Sequence, residues 1–163
     1  MTDINSTREF SEKLASLSLP TQRRVGSEFA SDVLSLASDR RLKQVIDIAG
    51  KIDSTVEELQ MAYQIAHSVY VETQPESGFH ELDFKRQAAH FVAQACLICV
   101  APTYSDAKII HLAQKVAMYC RMALTCSCMP HEQEKGLDFS NAEREVEKLI
   151  NNQHAILIKY LDK

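Results

Sequence analysis

The stretch from Arg86 to Met129 limits what this chain can fold into more than any other. Two alanine-studded apolar segments, QAAHFVAQACLICVA and DAKIIHLAQKVAMYCRMALTC, meet at Ala101-Pro102-Thr103-Tyr104. The first is apolar on nearly every side. The second repeats apolar residues at Ile109, Ala113, Val116, Cys120 and Ala123, the spacing of one helical face. Proline at the junction separates them, so the pair reads as an antiparallel helical hairpin. Ala88, Ala89, Ala93 and Ala95 on one side and Ala107, Ala113, Ala117 and Ala123 on the other let the axes approach toward the short end of the ~8–10 Å range of packed helices.

The helical period continues on both sides of this hairpin. Ser6-x-x-Glu9, Ser54-x-x-Glu57 and Ser140-x-x-Glu143 read as capping boxes that open helices. Phe10, Leu14 and Leu17 share a face of the first helix. Pro20 suits the first turn of a second, which carries Val25, Phe29, Val33 and Leu36 and ends near Ser38. Asp39 caps a third helix with Leu42, Val45, Ile46 and Ala49 inward, and Gly50 ends it as a residue tolerant of positive φ. A fourth runs to about Glu72. Its inner face holds Val56, Leu59, Tyr63, Ala66 and Tyr70, widened by Ala62, Ile65 and Val69, and a parallel stripe of Gln60, Gln64 and His67 faces water or a partner. The last helix buries Val146, Leu149, Ile150, Leu157, Tyr160 and Leu161. Loops are expected at Thr73–Phe79 and around Pro130–Gly136. With four glycines and four prolines in 163 residues and no alternating strand pattern, the sequence predicts an all-α fold. It is a single domain over residues 1–163, a bundle of about seven helices packed antiparallel around the central hairpin.

A formal charge of −4 and a pI near 5.9 argue against nucleic-acid binding, which needs a Lys/Arg surface to displace counterions from phosphate. The basic pairs Arg23-Arg24 and Arg40-Arg41, the latter with Lys43, read as solvated helix faces. The opening MTDINSTREF is polar where a secretory signal would be basic and then apolar. The apolar run from Ala88 to Ala101 falls short of the ~20 residues needed to span a bilayer. A cytoplasmic protein without membrane contact is expected. Five cysteines in apolar helical surroundings are expected as reduced thiols.

Chemistry-bearing clusters are few. Cys126-x-Cys128-x-x-His131, with His80 brought near by the hairpin, offers zinc-type ligands and an alternative reading as a zinc protein or metal-assisted hydrolase. Against it, the cysteines at this helix end serve as small hydrophobes. Cys96-x-x-Cys99 has redox spacing but lies late in an apolar helix, where both sulfurs pack. His90 and Gln94 form a polar stripe with Gln87, and His111 and Gln114 form another with Arg121. Folding about Pro102 places His90 level with Gln114 and Gln94 level with His111, in a buried seam or on one polar surface. No serine, cysteine or carboxylate completes a triad with either histidine, so no catalytic residue, enzyme activity or cofactor is expected. Glu132, Glu134, Asp138, Glu143, Glu145 and Glu147 make an acidic run that reads as a solvated helix start or, more sharply, as a surface for a basic partner.

Within residues 24–124, the order FASDVLSL, Asp39-Arg40, VIDIAGK, AYQIAHSVY, QAAHFVAQA and a proline turn into a second alanine-rich helix resembles a helical family of immunity proteins of bacterial toxin systems. LPTQRRVGSEFASDVLSL is similar to the opening helix of another, uncharacterised bacterial helical family. The first resemblance implies a protein that binds and neutralises a cognate toxin and carries over no catalytic residues. On that reading Glu143 and Glu147 would steer a basic toxin, and the α-helical stripe with Tyr63, Gln64 and His67, or Tyr70 or Tyr104, would anchor it. A homo-oligomeric helical scaffold, such as a homodimer, is a third reading.

Overall fold

The computed structural model describes residues 4–75, 83–102, 111–129 and 139–162, and every regular element in them is helical. In chain order these are α1 (Thr7–Ser16), α2 (Leu19–Ser31), a short 3-10 helix (Leu34–Leu36), α3 (Arg41–Gly50), α4 (Val56–Glu72), α5 (Phe84–Cys99), α6 (Leu112–Ser127) and α7 (Ser140–Leu161). The all-α single bundle built on a central hairpin is the observed architecture.

α5 and α6 form the most extensive packing pair. Their direction follows from two contacts. The Phe91 ring lies 6.1 Å from that of Tyr119, while Cys99 at the end of α5 and Leu112 and Val116 at the start of α6 all surround Gly26. The two helices therefore run antiparallel. α2 lies across both, α3 joins α2 to α4, α4 covers α5, and α7 packs on α6 and α2.

Small side chains make this layering possible. Ala93, Ala95, Cys96 and Cys99 of α5 and Ala113, Val116, Cys120 and Ala123 of α6 are fully buried. A β-carbon on Gly26 would stand 3.3 Å from Cys99 Sγ and 3.4 Å from a Val116 methyl carbon, so this glycine marks where α2 comes closest to the hairpin. Larger residues fill the flanks. Phe29, Leu14, Leu42 and Leu157 are fully buried, each contributing ~1.5–3 kcal/mol by leaving water.

Several expected boundaries shift. α2 stops at Ser31 and the chain turns through the 3-10 helix, instead of continuing to Ser38. α4 is capped by Thr55, in a full capping box with Glu58, one residue later than Ser54 and Glu57. Ser54 instead donates to the Ile48 carbonyl, closing the end of α3. α7 begins at Ser140 with Phe139 at the cap and no side-chain cap bond, so Ser140 is not the cap residue. At α1 the Ser6 hydroxyl accepts from Glu9 N as expected, but the Glu9 carboxylate reaches back to Asn5 N. Gly50 is the last helical residue of α3 and has an ordinary backbone. Its lack of a side chain matters because Ser27 Oγ would lie 3.1 Å from a β-carbon there. Val56, expected inward, is 70% exposed. The expected hairpin register also changes: Tyr119, not Gln114, lies beside the turn of α5 that carries His90 and Phe91. Among the described residues no helix is long and apolar enough to cross a membrane.

Candidate functional site

The site grows from two consecutive residues of α2. Because α2 is packed by α3, α5, α6 and α7, even its polar Gln22 and Arg23 are buried. A buried polar side chain is tolerated only with partners, and the open ends of the hairpin supply them. Gln22 Oε1 accepts from the Ala113 N–H in the first turn of α6 at 3.3 Å, and its Nε2 donates to Leu17 O at 3.0 Å. Arg23 donates to Cys99 O at 2.8 Å and Ala101 O at 2.6 Å, past the last turn of α5. Adjacent side chains thus cap the end of α5 and the start of α6, and the cation faces the negative end of the α5 dipole. Burial pulls the Arg23 pKa down, and the group stays a cation. Among the described residues no carboxylate pairs with it.

Arg23 also lines a cleft of about 340 Å³. Val56, Leu59, Gln60, Tyr63 and Gln64 of α4 form one wall, and Val100 and Pro102 the other. A second hollow of about 200 Å³ adjoins it, sharing Arg23 and Leu59, and continues along Leu19, Pro20, Ala49 and Ile52. The rim is apolar and open: Ile52 is 78% exposed and Val56 70%. A concave, largely apolar surface with one fixed charge is the usual form of a binding site.

Next to the cleft runs a band of rings. Tyr63 lies 6.1 Å from His67, His67 6.4 Å from Tyr70, and Tyr70 stacks on His90 at 4.6 Å. The band continues through Phe91 to Tyr119. Thr73 Oγ1 lies 2.9 Å from the Val69 carbonyl and 3.1 Å from that of Tyr70, and it shares a hydrogen bond of 3.0 Å with His90 Nδ1. Burial lowers the His90 pKa.

The other expected site residues are dispersed. Gln94 is half-buried on α5. His111 Nδ1 bonds Gln114 Oε1, and Gln114 Nε2 donates to Ser11 O at 2.6 Å, tying α1 to α6. His90 and Gln114 are therefore held by different partners, one at the end of α4 and the other on α1. Arg121 donates to Gln153 Oε1 at 2.7 Å and lies over the Phe10 ring, whose centroid is 5.3 Å away. Glu143 and Glu147 are exposed on α7, which packs on α6 and α2, whereas α4 packs on α3 and α5. The acidic pair thus belongs to a different surface from Tyr63, Gln64 and His67.

Cys96, Cys99 and Cys120 are fully buried free thiols. Burial pushes the Cys99 thiol up to about 12 and the other two well above their ordinary value, so Cys96-x-x-Cys99 has the packing role expected for it. Cys126 and Cys128 are half-buried at the end of α6. His80 and His131, the other residues of the zinc alternative, lie outside the described residues, as do Tyr104, Glu132, Glu134 and Asp138. Among the described residues no group of three or more His, Cys, Asp or Glu is arranged to hold a metal ion.

No family model, curated protein or solved structure matches this chain. What the site can do therefore rests on its own geometry. The residue that sequence reasoning missed is Arg23, which was expected in water. The arginine pair also divides: Arg24 leans over the Tyr160 ring at 5.4 Å. Tyr160 donates to Glu28, and burial with that bond pushes its hydroxyl up to about 12. Asn152 donates to Asp32, completing a polar seam between α2 and α7. A signal for the cleft did exist in the sequence, in Val56 and Ile52 flanking a helix start whose cap residues are polar.

Proposed function

We propose that this chain is a binding module that seats an apolar segment of a protein partner in the cleft between α4 and the end of α5. The observation that carries the reading is the open rim. Ile52 and Val56 stand in water beside a cleft lined by Leu59, Tyr63 and Val100, and covering both by a partner removes apolar surface from water at about 25 cal/mol per Å². Tyr63 contributes a half-buried ring, 6.1 Å from that of His67, as an aromatic anchor.

The immunity-type version, with a bacterial toxin as the partner, is supported by the resemblance of residues 24–124. The net charge of −4 favours a basic partner by steering its approach, while the apolar cleft makes the close contact. The test is a tagged pull-down from the native cell with the unaltered chain, Val56→Glu and Glu143→Lys/Glu147→Lys. A stoichiometric protein partner retained by the α7 variant and lost by Val56→Glu is the expected result. A partner lost only with the α7 variant would move the contact to the acidic face and overturn the cleft reading.

A further inference from the structure

We propose that the cleft beside Arg23 is also a receptor for a small ligand, a single carboxylate carried on an apolar chain of medium length, such as a free fatty acid. This goes beyond the partner reading, because a free ligand needs no protein partner; the two share only the cleft.

The charge requirement comes first. Arg23 is 6% exposed, and its partners among the described residues are the carbonyls of Cys99 and Ala101. A helix C-terminus offers about half an elementary negative charge, so it compensates a guanidinium only in part. The fork carries five N–H donors, and the carbonyls engage Nη1 and Nη2 once each. The guanidinium end lies against backbone between Val100 and Pro102, and both of these residues line the cleft. An anion entering there meets a fixed, largely desolvated cation, where charge-assisted hydrogen bonds are strongest.

The walls then select the rest of the ligand. Leu59, Val56, Val100 and Pro102 offer no charge, and the adjoining hollow continues along Leu19, Pro20 and Ile52. An alkyl chain running from Arg23 into either hollow is buried on apolar surface. One negative charge is the limit. Lys51, the other cation lining the two hollows, is held by Glu58 at 2.8 Å, so a phosphate dianion or a dicarboxylate lacks a second free partner. A neutral alcohol can accept a hydrogen bond from Arg23 but brings no negative charge to compensate it.

The experiment is an amide correlation titration of the full chain by NMR, with decanoate, decan-1-ol and decyltrimethylammonium as probes below their micelle concentrations. Saturable shifts centred on Leu59, Tyr63 and Val100 are expected for decanoate, with affinity about tenfold or more above that of decan-1-ol, the gain of one charge-assisted hydrogen bond. The ammonium probe should not bind. Val56→Glu places a carboxylate on the rim at a solvated position and should abolish decanoate binding with the rest of the spectrum unchanged. Arg23→Lys, which keeps the charge and loses the fork, should weaken decanoate and leave decan-1-ol unaffected. Equal affinity for decanoate and decan-1-ol, shifts centred elsewhere, or no saturable binding of decanoate would each overturn the proposal.

Discussion

Arg23 and Arg24 are neighbours in the chain with opposite fates, and the difference is measurable. Arg23→Met strands the Cys99 and Ala101 carbonyls and should cost about 3 kcal/mol in urea unfolding, the scale of losing charge-assisted bonds at buried acceptors. Arg24→Met loses a half-exposed cation over Tyr160 and should cost about 1 kcal/mol or less. Equal losses would contradict the assignment. Nothing in an Arg-Arg dipeptide distinguishes the two, because the carbonyls that hold Arg23 arrive from 76 and 78 positions away. Gln153 was illegible for the same reason: its fully buried amide serves Arg121 and Ala117 on another helix. Histidines give a pH dependence. Burial lowers His90 below its ordinary 6.5, and burial with the nearby Arg121 lowers His154 likewise. In that window the unfolded chain takes up protons that the folded chain refuses, so the stability contribution is full above 6.5 and is lost as pH falls. The melting temperature should drop from about pH 7.5 to about pH 5.5, with a smaller drop in His90→Asn. A flat profile would contradict it.

At the scale of elements, periodicity was the readable signal. The buried positions Leu42, Val45, Ile46 and Ala49 of α3, and Phe10 and Leu14 of α1, follow directly from helical spacing. Caps were less readable, since Ser54 and Thr55 are both good cap residues and the choice depends on Ser54 finding the Ile48 carbonyl. Thr55→Ala should therefore cost about 1 kcal/mol, and Ser68→Ala, at an exposed position in the middle of α4, should stay within about 0.5 kcal/mol. Chemical denaturation of the two variants checks this. The approach of α2 to the hairpin is a further test. Gly26→Ala gains up to about 1 kcal/mol of helix propensity but forces Cys99 or Val116 to yield, and Gly26→Val should cost a net 1–3 kcal/mol, roughly the overpacking range. Ring-shift changes at Phe91 and Tyr119 would report the displaced hairpin.

For the whole molecule, the bundle was legible because low glycine and proline, helical period and the hairpin all point to one architecture. The site was not, because it exists only where α2, α4 and the end of α5 converge, and no short motif records that meeting. The same packing divides the cysteines. A thiol reagent should label Cys126 and Cys128 in the folded protein and reach Cys96, Cys99 and Cys120 only on unfolding. The most direct test of the central claim is photo-crosslinking in the native cell, with a benzophenone amino acid placed in turn at Val56, Met118 and Glu143, all exposed and on three different helices. The account requires one discrete protein adduct at position 56 that disappears when Tyr63→Ala is added, and none at positions 118 or 143. An adduct at 118 or 143 with position 56 silent would place the working surface elsewhere and contradict it.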